Sequence, residues 1–320
     1  MKPEFFNILC IADENYAQHA AVMLCSLLET NRDKTFRVFL MTFQMQEETK
    51  RRLHEVVESR GSELTIIEDS YEHAGLESLK CDTGVKAWNP IMYLKLLIPQ
   101  YVPQEVERFL FLDVDIVVNH DITPLYNIGL RGNILAACED YEFCGVHKSR
   151  LGFPEDELYV NSGVMVVDLK AWRNKQAVQP MFEFLQERKD IIHDDQDAFA
   201  LYCRGQIMLL PTNQWNATTF FFERRPRILP KYLPEVEAVR NTPYIIHFCE
   251  PIKPWFRECK HPYRKLYRKY LDMTPWRTRR LPPCGEAYGR PVWQYTVKYW
   301  LNAIGLREDE MMMISRLKND

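Results

Sequence analysis

Asp113 and Asp115 stand two positions apart inside FLFLDVDIVV (109–118), a stretch otherwise apolar enough for the middle of a sheet. In a strand side chains alternate, so both carboxylates would share one face while Val114 takes the other. Like charges that close repel, and neither is buried cheaply. Solvent at the strand's end, hydrogen-bond donors or a cation would offset that cost, and the stretch alone leaves all three open. Three further stretches also place polar residues where apolar runs end: IADENY (11–16), YVNSG (159–163) and IHFCEPIKPW (246–255). Each alone is weak. A strand ending in Asp is common, and a single histidine after an apolar run, such as His247, usually has a structural task.

The elements around these residues follow a regular order. FNILCIA reads as a strand, followed by a helical pattern carrying Ala20, Ala21, Leu24, Leu27 and Leu28 on one side. FRVFLMTF is a second strand, QEETKRRLHEVVESRG a helix with early acids and Gly61 as its stop, and LTIIED a third strand. Such alternation predicts a parallel sheet flanked by helices, which binds ligands at the carboxyl ends of its strands. Further on, PIMYLKLLIPQYV reads as a helix, FLFLDVDIVV, ILAACED and YVNSGVMVVDL as strands, and 171–189 as a helix that Pro180 bends or breaks. DQDAFALYCRG opens another helix, and IMLLP and YIIHF are short late strands. The economical division is one α/β domain over 1–270 and a tail over 271–320.

At 320 residues, 46% hydrophobic and 27% charged, the composition is that of a soluble globular protein with a sizeable core. The net charge of -3 is unevenly spread: from Phe256 onward Lys and Arg outnumber Asp and Glu 14 to 7, whereas before it they are outnumbered 27 to 37. An acidic body with a basic tail suits contact with an anionic surface. Nine cysteines are scattered singly with no CxxC pair, which favours free thiols in a reducing compartment over a disulfide framework. The N-terminal apolar run is short and leads directly into Asp13 and Glu14, so it reads as a strand and not as a signal peptide. No stretch approaches the roughly 20 apolar residues of a membrane span. These features predict a cytoplasmic protein.

Taken together and in this order, the motifs resemble those of the retaining glycosyltransferases of family 8, from about residue 7 to residue 270: a DxD after an apolar strand, an N-[SA]-G strand, a DQD and a terminal H-x-x-x-x-x-K-P-W. The resemblance is greatest to bacterial enzymes that extend lipopolysaccharide or lipooligosaccharide outer cores with glucose or galactose. It implies the GT-A fold, a Rossmann-like mixed sheet between helices. It also implies a divalent cation held by Asp113, Asp115 and His247, with UDP-glucose or UDP-galactose as donor. Two carboxylates and one imidazole suit Mn2+, with Mg2+ the alternative, better than zinc, which favours several His or Cys ligands. By the same resemblance Asp13 and Asn15 bond the uracil, Tyr16 stacks on it and Ala12 lies against the base. Asn15 also reads as a helix cap. Lys95 and Val114 count among the donor-contacting positions, Lys253 meets the pyrophosphate, and Asn161, Asp195 and Gln196 face the donor sugar. Gln196, an amide and so a poor nucleophile, is expected to support the oxocarbenium-like transition state. Two positions depart from the family pattern. Lys95 stands where Arg is common, forfeiting a bidentate contact, and Glu250 stands where Gly is usual, adding a carboxylate near the pyrophosphate.

Beyond residue 270, RTRR precedes VWQYTVKYWLNAIGL, aromatic and apolar with few charges. It reads either as a helix packed on the catalytic domain or as a membrane-surface segment with arginines at headgroups. The second reading suits a lipid-linked acceptor at the cytoplasmic face of the inner membrane. A non-catalytic sugar-nucleotide-binding scaffold of the same fold is the rival function. A nucleic-acid role is disfavoured because the body is acidic and the tail's aromatics follow no nucleic-acid module.

Overall fold

The computed structural model describes residues 5–70, 90–141, 144–187, 194–249 and 251–284. Strands β1 (Phe5–Ile11), β2 (Thr35–Thr42) and β3 (Glu63–Glu68) alternate with helices α1 (Ala17–Thr30) and α2 (Glu47–Glu58), as the pattern predicts. Gly61, at φ 72°, occupies the left-handed conformation that ends α2 cheaply. A 3-10 turn (Pro90–Tyr93) and α3 (Leu94–Tyr101) lead to β4 (Arg108–Leu112). Next come β5 (Ile116–Val118), α4 (Thr123–Tyr126), β6 (Leu135–Glu139), α5 (Cys144–Leu151) and β7 (Val160–Asp168). The chain continues through α6 (Leu169–Lys175), α7 (Val178–Glu187), α8 (Asp194–Tyr202), β8 (Ile207–Leu209), β9 (Ala217–Thr218), α9 (Val236–Asn241), β10 (Ile245–His247) and α10 (Arg264–Leu271).

Seven strands form one sheet in the order β3-β2-β1-β4-β7-β6-β8. The pairs β1–β2, β2–β3, β1–β4 and β6–β8 are parallel, while β7 runs antiparallel to both β4 and β6. The sheet is therefore mixed. Its two faces are buried in separate cores. Ile8, Cys10, Leu110, Leu112, Val164 and Val166 face α1, α2 and α10, whereas Leu9, Phe109, Phe111, Met165 and Val167 face α3, α6, α7 and α8. Burial on both sides explains why these strands are nearly continuous apolar runs and why periodicity alone says little about them.

A second sheet of order β5-β10-β9 packs on the first core, β10 antiparallel to β5 and parallel to β9. The DVD stretch is therefore not one strand. β4 ends at Leu112, residues 113–115 form the turn between sheets, and β5 begins at Ile116. The reason is visible in the backbone: the Asp113 N–H donates to Gly163 O on β7 (2.8 Å), whereas Asp115 O accepts from Phe248 N just beyond β10 (3.0 Å). The two aspartates answer to two different sheets. The expected helix over 171–189 is likewise divided, but at Gln176 (φ 51°) and not at Pro180, which sits in the first turn of α7 where a missing N–H costs nothing.

Residues 271–284 follow the body closely. Cys284 is fully buried and its N–H donates to Glu258 Oε2 (2.9 Å), while Arg257 N–H donates to Pro282 O (3.1 Å). Arg277, Arg279 and Arg280 are exposed. The aromatic segment of the tail lies outside the described residues. No helix among the described residues is long and apolar enough to cross a membrane.

Candidate active site

The chain leaves β1 for β2 and β3 on one side, then returns to place β4 on the other side of β1. That reversal opens a crevice at the carboxyl ends of β1 and β4, where open α/β sheets receive ligands. IADENY leaves β1 there, and Asp113–Asp115 leaves β4. β7, antiparallel beside β4, brings Asn161, Ser162 and Gly163 to the same edge, because its first residues lie opposite the last ones of β4.

The three expected metal ligands meet. One ligand atom from each of Asp113, Asp115 and His247 lies within 4.8 Å of the other two. His247 Nε2 stands 3.2 Å from Asp115 Oδ1 and 3.9 Å from Asp113 Oδ2. The glycine of the N-S-G motif makes this approach feasible. A Cβ on Gly163 would lie 2.4 Å from His247 Cε1 and 2.7 Å from Asp113 Oδ2. Two carboxylates, one imidazole and a cradle closed to any side chain fit a hard divalent cation.

Lysines are the counter-charges. Lys253 Nζ donates to Asp115 Oδ2 (2.7 Å) and to Phe248 O (2.6 Å). Burial pushes the Asp115 carboxyl up, but Lys253 and His247 outweigh it and hold the group below the usual carboxylate range. Asp113 is raised instead: burial acts first and the neighbouring Asp115 adds to it, against the opposing Lys95. Lys95 is buried, its Nζ 2.6 Å from Asp195 Oδ2 and 3.5 Å from Asp113 Oδ1, with the Phe111 ring beneath it at 4.5 Å. Burial lowers its pKa, but the two aspartates raise it further.

Asn161, Asp195 and Gln196 form one hydrogen-bonded group. α8 begins at Asp194, so Asp195 and Gln196 occupy its first turn and point back at β7. Ser162 Oγ donates to Asp195 Oδ2 (3.0 Å), and Ser162 N–H donates to Gln196 Oε1 (3.1 Å). Gln196 Nε2 and Asn161 Nδ2 both donate to the Asp140 carboxylate, at 2.9 and 3.3 Å. Asn161 Oδ1 accepts from Gly163 N–H (3.1 Å) and from Asn216 Nδ2 (2.9 Å), and Asn216 Oδ1 meets His247 Nδ1 at 2.9 Å. Asp140 and Asn216 escaped the reading of the sequence. Asp140 directly follows β6, a strand ending in Asp like the one before the DxD and so a usable signal; nothing local distinguishes Asn216.

The IADENY loop lies on the Lys253 side. Tyr16 is half-exposed at 38%, and its ring stands edge-on to Trp255 at 5.9 Å. Beneath it Trp255 stacks on His19 at 3.5 Å, whose Nδ1 meets Tyr267 Oη at 2.6 Å. Ala12 is buried; Asn15 is exposed, and it is Asp13 Oδ1, not Asn15, that accepts the Tyr16 N–H (2.9 Å) at the start of α1. Glu14 ties the loop to α2 by accepting from Gln46 N–H (3.0 Å) and Thr49 Oγ1 (2.6 Å). The Val114 side chain joins the core. Glu250 lies outside the described residues.

Comparison with known proteins agrees with this architecture. The family model described as glycosyl transferase family 8 matches residues 7–259. General stress protein A of Bacillus subtilis is 30% identical over 291 residues, 87% of this chain and 96% of that protein. A lipopolysaccharide 1,2-glucosyltransferase of Escherichia coli K12 is 24% identical over 277 residues, covering 86% of this chain and 80% of that one. In structure the chain is similar to the galactosyltransferase LgtC solved with donor and acceptor sugar analogs, with a TM-score of 0.71 at 22% identity, covering 88% and 99% of the two chains. That likeness makes the fold GT-A. By the match of its motif-bearing residues, this chain belongs to glycosyl transferase family 8.

Proposed function

We propose that this glycosyltransferase is a metal-dependent, retaining hexosyltransferase that moves glucose or galactose from a UDP-sugar to a saccharide acceptor, a lipopolysaccharide core or another lipid-linked glycan. The observation that carries the reading is the convergence of Asp113, Asp115 and His247 around a position that Gly163 keeps open, beside Asn161, Asp195 and Gln196. Relatives named as lipopolysaccharide glucosyl- and galactosyltransferases support the acceptor class. A cation bound there, Mn2+ or Mg2+, would stabilise the negative charge that grows on the departing diphosphate.

The chain's own residues supply the rest. Lys253 neutralises Asp115 here and stands ready to meet a phosphate as a compact point charge. Tyr16 offers an exposed ring face for the uracil, Ala12, Asp13 and Asn15 line the same loop, and the Val114 backbone faces the nucleotide. Lys95 fixes Asp195 by an ion pair. Gln196 has both ends of its amide engaged, on Asp140 and on Ser162, so it serves as fixed electrostatic support for oxocarbenium-like charge and not as a nucleophile.

The test is UDP release with Mn2+ and a panel of UDP-sugars. We expect turnover with UDP-glucose or UDP-galactose, lost in EDTA and restored by Mn2+. Full activity in EDTA would overturn the metal assignment. The exposed Arg277, Arg279 and Arg280 support peripheral contact with an anionic membrane at the cytoplasmic face, each cation contributing about 1 kcal/mol near such a surface. Co-sedimentation with anionic liposomes that weakens as salt rises is the expected result. Absence of binding at low salt rejects the contact.

A further inference from the structure

Asn216 closes a 3-10 turn (Asn213–Asn216) immediately before β9, and is buried at 1% exposure. The turn is pinned from outside the site: Asn213 N–H donates to Glu235 Oε2 (2.8 Å). β9 pairs with β10 with Thr218 beside His247, so the backbone delivers Asn216 to the imidazole on the edge away from the two aspartates.

The hydrogen-bond directions along this chain follow from one unambiguous donor. A backbone N–H can only donate, so the Asn161 atom that meets Gly163 N–H is its oxygen. The Asn161 nitrogen then points at Asp140, which as a carboxylate can only accept. The same Asn161 oxygen faces Asn216, which must present its nitrogen there and its oxygen to His247. His247 Nδ1 therefore donates, and Nε2 is the atom facing Asp113 and Asp115. A metal-ligating imidazole has its ring oriented in this way, by the bond its other nitrogen donates.

We propose that Asn216 is a positioning residue that accepts the His247 Nδ1–H, turns Nε2 toward the two aspartates, and couples the Asp113–Asp115–His247 trio to Asn161 in the donor-sugar group. The role toward the metal rests on the metal-dependent reading above; the hold on Nδ1 does not. Asn216 touches neither the reacting atoms nor the cation. Its nitrogen holds Asn161 while its oxygen holds His247, so a shift at either end is felt at the other.

The experiment compares full-length protein with Asn216→Leu and Asn216→Asp. Leucine removes both bonds at similar size. Aspartate keeps an acceptor for His247 Nδ1–H but sets a second acceptor against Asn161 Oδ1. Mn2+ affinity is read by electron paramagnetic resonance of the free ion, and the His247 Nδ1–H by long-range 15N–1H correlation on metal-free protein. Asn216→Leu is expected to weaken Mn2+ binding roughly 10- to 100-fold. Asn216→Asp is expected to bind Mn2+ at least as tightly as the parent while its kcat falls at least tenfold, a separation that general loosening of the fold would not produce. Parent-like Mn2+ affinity in Asn216→Leu, or the absence of an Nδ1–H signal for His247 in the parent, overturns the proposal. An unchanged kcat in Asn216→Asp overturns the coupling to Asn161. A parent that binds no Mn2+ removes the metal reading, and Asn216's role toward the metal with it, whereas equal binding by parent and leucine variant removes only the role of Asn216. Should the leucine variant fail to fold, the aspartate variant and the parent's Nδ1–H signal still decide.

Discussion

Asp113 and Asp115 carry the same charge one residue apart, yet the protein holds them by different means, and their substitutions should differ accordingly. Asp115 is engaged by Lys253 at 2.7 Å, both side chains being largely covered at 16% and 12% exposure. Asp113 keeps 34% of its surface, and its lysine neighbour, Lys95, has a shorter contact with Asp195. Asp115→Asn strands a buried ammonium, and about 3 kcal/mol of stability should be lost in a chemical melt. Asp113→Asn removes a like-charge contact from a carboxyl that burial already pushes up, so stability should change by less than about 1 kcal/mol. Both variants should lose nearly all transfer activity, and equal stability losses would sink the distinction. Gly163→Ala tests the cradle: with a Cβ 2.4 Å from His247 Cε1, Mn2+ binding and turnover should fall at least tenfold while the fold persists. At this scale the paired carboxylates carry a local cost that solvent, donors or a cation must offset, whereas His247 and the N-S-G stretch are weak alone and became legible only through an order of motifs that resembles family 8. Asp140 offered a local signal by directly following an apolar strand, whereas Asn216 offered none, because its partners come from chain 31 to 55 residues away.

Elements were legible where one face is polar and obscure where none is. The amphipathic α2, with Glu47 and Glu48 in its first turn and Gly61 after it, needs no tertiary information. FLFLDVDIVV is apolar on both sides, so a long strand and two short strands belonging to different sheets produce the same pattern; only the distant partners Gly163 and Phe248 separate them. The break in the 171–189 helix was signalled by Pro180 but is made by Gln176. Its φ of 51° places an exposed, Cβ-bearing residue in the left-handed region at the end of α6. Gln176→Gly should relieve that strain and add about 0.5–1 kcal/mol, roughly a 1–3 °C rise in melting temperature for a chain of this size. A lower melting temperature would mean that the glutamine's own packing outweighs the backbone term.

The whole molecule adds what neither residue nor element contains: the reversal at β1 and β4 that makes the crevice, and an antiparallel β7 that turns Asn161 toward it. It also buries titratable groups far from the crevice, which links its stability to pH. His261 lies among Phe222, Phe248 and Tyr263, its Nδ1 accepting from Tyr263 N–H at 3.2 Å, and burial pushes its pKa down to about 3. His19, stacked on Trp255, is likewise pushed down by burial to about 3. In the unfolded chain both titrate near 6.5. Between pH 6.5 and 3 the unfolded state thus binds protons that the folded state refuses, and stability falls as pH falls, by up to about 1.4 kcal/mol per pH unit for each ring. Depressed carboxylates such as Asp115 lose their contribution only at lower pH, as pH falls through their folded values. Asp113, raised by burial, acts in the opposite sense as pH falls, so His261 is read from the difference between parent and variant over pH 6 to 4.5. His261→Asn places a non-titrating acceptor near Nδ1. Chemical melts of parent and variant across that window should differ in slope by about one proton, or about 1.4 kcal/mol per pH unit. Parallel stability curves would mean that His261 takes up its proton in the folded state, against the burial seen around it.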